Sequence, residues 1–259
     1  MSAPLDVLHE DDDVLVVDKP AGLVCHPTKG DEWSSLIGRV RLHLGNGEGR
    51  LVNRLDRETS GVVLIAKHKD AASELGALIA GDGVEKAYVA IVHGHVDGAC
   101  VVDAPLGRDE QSPVAIKDCV RSDGAPARTR IVGTQLFERD GASFSIIDIV
   151  PETGRKHQIR IHLAHIGHAI VGDKLYGDDE QCYLRFVAGA LTEEDRRALR
   201  LPFHALHARR LSFVWRSQPW SWRAAVPARF RDFALVRLRD AGEATPDADG
   251  ARHLRPGCR

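Results

Sequence analysis

The stretch Asn53 Arg54 Leu55 Asp56 Arg57 Glu58 Thr59 Ser60 Gly61, set directly ahead of the apolar run Val62 Val63 Leu64 Ile65 Ala66, constrains this chain more than any other. The apolar run is β-rich, and the polar residues before it lead into it as a loop. Asp56 is a lone carboxylate between two arginines at the mouth of that run. Such a group fits chemistry as well as it fits packing, because neighbouring charge and burial tune its acidity.

The remaining sequence reads as the setting for that stretch. With 259 residues and 43% hydrophobic composition, the chain can bury a substantial core, so one large domain is expected over residues 14–239. Residues 1–13 read as a short acidic leader and 240–259 as a disordered tail rich in Gly, Pro, Asp and Arg. No apolar stretch is long enough to span a membrane, and the acidic start lacks the basic-then-apolar order of a secretory signal. A cytoplasmic protein is therefore expected, with no membrane partner. The five cysteines, Cys25, Cys100, Cys119, Cys182 and Cys258, show no Cys-x-x-Cys pairing and read as reduced thiols. A net charge of −2 announces no polyanion partner globally, so any nucleic-acid surface must be local.

In chain order, Val14 to Val17 is a strand candidate closed by the turn Lys19 Pro20 Ala21 Gly22. Leu36, Ile37, Val40 and Leu44 recur at helical spacing, with Ser34 as N-cap and Gly45 as stop. The glycine-rich segment Gly45 to Arg50 lacks the lysine and hydroxyl of a phosphate loop. Ala71, Leu75, Leu78 and Ile79 predict a helix from Asp70 to Ala80. Lys86 to His93 alternates as a strand does, with Tyr88 opposite the aliphatic face, where packing is the ordinary role. Residues 97–127 read as a hairpin region or loop, and Thr129–Thr134 and Phe144–Val150 as strands. Ile159, Leu163 and Ile166 form one helical stripe ended by Gly167. The first turn of that helix carries Lys156, His157 and Arg160, which oppose the helix dipole and so point to an anionic partner nearby. His157, His162, His165 and His168 invite a metal reading, but no carboxylate or His-Glu-x-x-His pattern supports it.

Five blocks in order resemble RNA pseudouridine synthases of the RluA type. They are Lys19 Pro20 Ala21 Gly22; Arg54 Leu55 Asp56 with Thr59 Ser60 Gly61; Lys86 Ala87 Tyr88; Gly154 to Arg160 with Gly172 Asp173 to Tyr176 Gly177; and Leu206 His207 Ala208. Two departures stand out. Asn53 replaces the histidine usual before the Arg-Leu-Asp triplet, and no S4-type RNA-binding module precedes Val14, so RNA would be gripped by the catalytic domain alone.

The resemblance implies an α+β fold, a mixed and mostly antiparallel central sheet flanked by helices, and isomerisation of uridine in ribosomal or transfer RNA without cofactor or metal. That reaction breaks the bond from N1 to C1′ and joins C5 to C1′, work that a carboxylate can do as nucleophile or base. The implied catalytic residues are Asp56, Tyr88 and Arg160. Arg160 would hold Asp56 ionised, and Tyr88 would stack near the uracil and help remove the C5 proton. Arg54, Leu206, Arg155, His157 and Thr59 are implied at the substrate surface, with Leu206 as an apolar wall and Arg54 entering the space a flipped uridine leaves or holding phosphate. Thr59, Ser60 and Gly61 also suit fixing the loop that presents Asp56. A monomer is the simplest expectation. Two rival readings are an inactive RNA-binding protein of the same fold and a metal-dependent hydrolase using Asp56 with the histidine cluster.

Overall fold

In the computed structural model, residues 5–27, 32–45, 47–81, 83–234 and 255–256 are described. The strands are β1 Val7–Glu10, β2 Val14–Lys19, β3 Arg50–Leu51, β4 Ser60–Ala66, β5 Val84–His93, β6 Cys100–Asp103, β7 Leu106–Arg108, β8 Asp118–Val120, β9 Arg128–Arg139, β10 Ala142–Pro151, β11 Leu206–Trp215, β12 Gln218–Arg223 and β13 Arg255–Pro256. The α-helices are α1 Leu36–Leu44, α2 Lys69–Ala80, α3 Gln158–His165, α4 Gln181–Val187, α5 Glu193–Leu199 and α6 Ala228–Ala234. One sheet runs in the order β1-β2-β4-β11-β5-β10-β9-β6-β13, with β12 on β11 and β3 on β4, while β7 and β8 pair separately. Among the described residues β4 with β11 and β6 with β13 pair in parallel, and every other strand pair is antiparallel.

Strand β4 is buried at all seven positions, which explains why its sequence is a continuous apolar run and not an alternation. Val63 and Ile65 pack with Leu36, Ile37 and Val40 of α1 on one face, and Val62 and Leu64 pack with Ala71 and Leu75 of α2 on the other. A second core lies under α3 and α6, where Ile91, Phe144, Ile147 and Ile149 of β5 and β10 meet Ile159, Leu163, Phe230 and Phe233. Helix α1 begins one residue later than its sequence suggests: Ser35, not Ser34, is the N-cap and accepts the Gly38 N–H at 3.2 Å. A single 3-10 turn over Glu32–Ser34 precedes it. Gly45 ends the helix in the left-handed conformation, as expected.

Three features depart from the sequence reading. Val7–Glu10, inside the stretch read as a leader, adds an edge strand to β2 through a register irregularity at Val7/His9. Cys100 is disulfide-bonded, which corrects the expectation of five reduced thiols; Cys25, Cys119 and Cys182 are free. Arg255–Pro256, in the stretch read as a disordered tail, pair with Cys100–Val101, and the other residues from 240 onward lie outside the described residues.

Candidate active site

The loop from Val52 to Thr59 hangs between β3 and β4 and is tied at both ends. Asn53 stands in for backbone at its start: its side-chain oxygen accepts the Leu64 N–H at 2.7 Å and its amide donates to the Val62 carbonyl at 3.2 Å. The amide thus extends the β3 ladder by one rung, needing both an acceptor and a donor on one short side chain.

The turn after β2 grips the loop's middle. Lys19, fully buried, donates to the carbonyls of Pro20, Leu23 and Arg57 at 2.9, 2.8 and 3.1 Å. The Gly22 N–H also donates to the Arg57 carbonyl, at 2.8 Å. The Cys25 thiol donates to the Leu55 carbonyl at 3.3 Å and accepts its N–H at 3.5 Å. Burial pushes the Lys19 pKa down to about 8, against the pull of neighbouring groups that include the Asp56 carboxylate.

Three consecutive side chains at the loop's end face inward. Glu58 accepts from the buried Lys174 ammonium at 2.8 and 3.0 Å and from the His204 N–H at 3.3 Å. The Thr59 hydroxyl and His204 Nε2 are 2.7 Å apart, and the Ser60 hydroxyl and His207 Nδ1 2.9 Å apart. Gly61 follows at φ +118° against β11, where a Cβ would lie 2.2 Å from the Ala208 carbonyl oxygen. Only glycine fits such a conformation and approach. These anchors leave the Asp56 side chain 29% exposed, on a loop whose Arg54 and Arg57 are exposed.

Asp56 Oδ2 accepts from Arg160 Nη1 at 2.8 Å. Arg160 is in turn held by Asp173, whose Oδ2 and Oδ1 accept from Nε and Nη2 at 2.7 and 2.9 Å. The same Asp173 carboxylate accepts the N–H groups of Leu175 and Tyr176 at 2.9 and 3.1 Å. Of the three cations expected in the first turn of α3, Lys156 and His157 precede the helix; Lys156 pairs with Asp118 at 2.8 Å, and Arg160 meets Asp56 and Asp173. Burial, the largest influence, pushes Asp56 up, but the Arg160 guanidinium first, then His157 and His204, together outweigh it and hold the carboxyl below its ordinary range. Tyr88 moves the other way: burial, then the Asp56 charge, raise its pKa, so the phenol is neutral at physiological pH.

A cleft of about 650 Å³ gathers Asp56, Tyr88, Arg160, Arg54, Leu206, Arg155, His157 and Thr59 along its walls. Tyr88 comes from β5 and Leu206 from the start of β11, neighbours in the sheet through the Leu206 to Ala90 register. Arg54 and Arg155 are exposed, Leu206 is 4% exposed and Thr59 2%. Thr59 turns its hydroxyl inward to His204, and Arg155 Nε donates to the Pro126 carbonyl at 3.0 Å. A larger groove of about 1390 Å³ adjoins the cleft and shares Lys86, Gly154 and Arg155 with it.

The clustered histidines do not converge. His157 meets Tyr176, His162 is fully buried between Thr129 and the Ala104 carbonyl, and His168 meets the His93 carbonyl. No group of three or more metal-ligating side chains occurs among the described residues. Asp173, His204, Lys19 and the Glu58 to Lys174 pair were not singled out by sequence. Asp173 and Lys19 lie in the quoted motif blocks, whereas His204 carries no sequence signal of its own.

Fold and site together define an α+β protein in which a guanidinium buried against a second carboxylate holds a reachable aspartate ionised beside a tyrosine and an apolar wall. Residues 13–165 match the family described as RNA pseudouridylate synthase. The chain is 36% identical over 86% of its length to ribosomal large subunit pseudouridine synthase D of Xanthomonas campestris pv. campestris, and 34% identical over 93% to that of Pseudomonas aeruginosa. It covers 66% and 73% of those proteins, respectively. Two human structures, RNA pseudouridylate synthase domain containing 1 and 4, superpose with TM-scores of 0.68 and 0.66 at 25% and 28% identity. They cover 87% and 90% of this chain, which covers 86% and 93% of theirs. The chain belongs to the RNA pseudouridylate synthase family, in its RluA-type branch, and has that family's mostly antiparallel fold.

Proposed function

We propose that this protein isomerises uridine to pseudouridine in structured RNA, with Asp56 as the catalytic carboxylate. The observation that carries the reading is the 2.8 Å contact from Arg160 to Asp56 at the wall of a cleft that also holds Tyr88 and Leu206. As the N1 to C1′ bond breaks, its electrons go to the uracil ring and positive charge develops on the ribose. An aspartate whose carboxyl is held toward its ionised form is suited to meet that charge as nucleophile or base. The base turns, C5 bonds to C1′ as Asp56 is released, the C5 proton passes to water and N1 takes one up, so the isomerisation is proton-neutral. Because Tyr88 is neutral, it serves that last step as a hydrogen-bonding relay against the uracil and not as a standing phenolate.

Leu206 supplies an apolar face for the flipped base, and the exposed Arg54 enters the vacated stack or holds phosphate. Arg155, His157 and Thr59 complete the substrate wall, Thr59 through its backbone and methyl group since its hydroxyl is engaged. The adjoining groove gives an RNA strand room on one side of the cleft. The relatives' names point to large-subunit ribosomal RNA as the first substrate to test and transfer RNA as the second. We place the reaction in the cytoplasm, by a monomer, with no cofactor. No helix among the described residues is long and apolar enough to cross a membrane.

The test is tritium release from RNA labelled at uridine C5. The wild type is expected to release label and Asp56→Ala to release none while still binding RNA; retained turnover in Asp56→Ala rejects the assignment. Binding without any release by the wild type would favour the inactive RNA-binding reading.

A further inference from the structure

His157 precedes α3 with its backbone in the left-handed region, φ 55°, a conformation that non-glycine residues adopt at a cost. Its imidazole is 10% exposed and has a polar neighbour on each nitrogen. Nδ1 lies 2.9 Å from the Tyr176 hydroxyl, and Nε2 lies 3.9 Å from Asp56 Oδ2.

The phenol decides which nitrogen carries the proton. Tyr176 is 7% exposed, and its oxygen already accepts the backbone N–H of Asp118 at 3.3 Å. Among the described residues its own O–H has one acceptor, the Nδ1 lone pair. The opposite tautomer would leave a buried hydroxyl proton without a partner and aim a bare Nε2 lone pair at an ionised carboxylate, and both are unfavourable. Burial, only partly opposed by the Asp56 charge, lowers the imidazole pKa to about 4, so at neutral pH the ring has one proton to place.

Asp56 Oδ2 therefore faces two donors, Arg160 in contact and His157 at 3.9 Å. Among the described residues no donor is hydrogen-bonded to Oδ1. We propose that His157, locked by Tyr176 with its proton on Nε2, is a positioning residue for Asp56: when RNA fills the cleft, Nε2–H closes onto Oδ2 as a second donor and leaves Oδ1 as the reacting oxygen. The proposal rests on the functional reading above for its consequence, but the tautomer does not. No bond to His157 forms or breaks. A donor that acts through Asp56 affects turnover more than RNA affinity.

The direct test is the imidazole nitrogen spectrum of the 15N-histidine-labelled protein at pH 7, which needs neither RNA nor turnover. His157 is expected to show a protonated Nε2 and an unprotonated Nδ1; a protonated Nδ1 overturns the lock whether or not the protein isomerises uridine. Tyr176→Phe keeps the ring over Arg160, 4.9 Å from its guanidinium, and removes only the hydroxyl. It is expected to admit the second tautomer and to lower kcat about tenfold, with KM within about twofold and a small fall in melting temperature from the lost Asp118 N–H bond. Wild-type kcat in that variant, or a raised KM with kcat intact, overturns the link to Asp56. His157→Asn retains a residue type at home in the left-handed region and is expected to lose about a hundredfold in kcat with its melt preserved; full turnover there would sink the proposal.

Discussion

Arg160 and Asp173 form a fork, Nε to Oδ2 at 2.7 Å and Nη2 to Oδ1 at 2.9 Å, and both side chains are buried. The fork fixes the guanidinium plane, so the third nitrogen is presented to Asp56 without help from Asp56 itself. On the proposed reading, structural and catalytic roles are thereby divided between two carboxylates on one cation.

That division predicts opposite behaviour of two isosteric changes. Asp56→Asn is expected to abolish turnover while moving stability by less than about 1 kcal/mol, because Arg160 keeps its buried partner. Asp173→Asn leaves a buried guanidinium with a single, partly exposed counter-charge and is expected to cost about 3 kcal/mol as well as turnover. Denaturant unfolding of both variants beside the tritium assay checks the pair. Equal destabilisation by the two changes would refute the division of labour.

Gly61 is where β4 comes against β11 in parallel, at the Ala208 register position. A methyl group there meets the Ala208 backbone at 2.2 to 2.7 Å in a conformation that L side chains avoid. Gly61→Ala is expected to cost at least about 3 kcal/mol and to displace the Asp56 loop. Gly76→Ala, in α2 with nothing near its added carbon, is the control and should be neutral or slightly stabilising by melt.

Much of the fold was legible because several elements carry complete local signals. Helices α1 and α2 combine apolar spacing with a glycine stop, and β4 is an unbroken apolar run because helices cover it on both sides. Strand β1 escaped notice because its acidic surroundings are satisfied at long range, Glu10 by His43 and Lys67. Helices α4 and α6 span only seven residues each, too short to show a period. In the site, Asp56 and Arg160 lie 104 residues apart, so motif resemblance could pair them whereas spacing could not. His204 and Lys174 matter through buried contacts with Thr59 and Glu58 that local sequence does not encode.

Asn53 and Arg54 are adjacent but face different partners. Asn53→Ala removes the donor and the acceptor that prolong the β3 pairing and is expected to cost about 1 to 2 kcal/mol, seen as a lower melting temperature. Arg54, exposed at the cleft, is expected to leave the melt unchanged on replacement by alanine and to weaken RNA binding about tenfold in a titration at fixed salt. A melt that falls with Arg54→Ala would make it a structural residue.

Three buried imidazoles contribute to the loss of stability in acid. Burial lowers the pKa of His204 to about 3, and those of His157 and His207 to about 4, each against an ordinary value of 6.5. The folded state therefore binds fewer protons than the unfolded chain between about pH 6.5 and pH 3 to 4, and stability must fall as pH falls through that window. A shift from 6.5 to about 4 corresponds to roughly 3 kcal/mol for one group. His207 isolates the effect, because it is fully buried between the Ser60 hydroxyl and the Ala224 carbonyl. Its Nε2–H donates to Ala224 and its Nδ1 accepts from Ser60, a pattern that a side-chain amide can imitate without titrating. His207→Gln is expected to flatten the fall in unfolding free energy between pH 7 and pH 4 by about one proton, read from urea titrations across that range. An unchanged slope would mean that His207 is already charged in the folded protein.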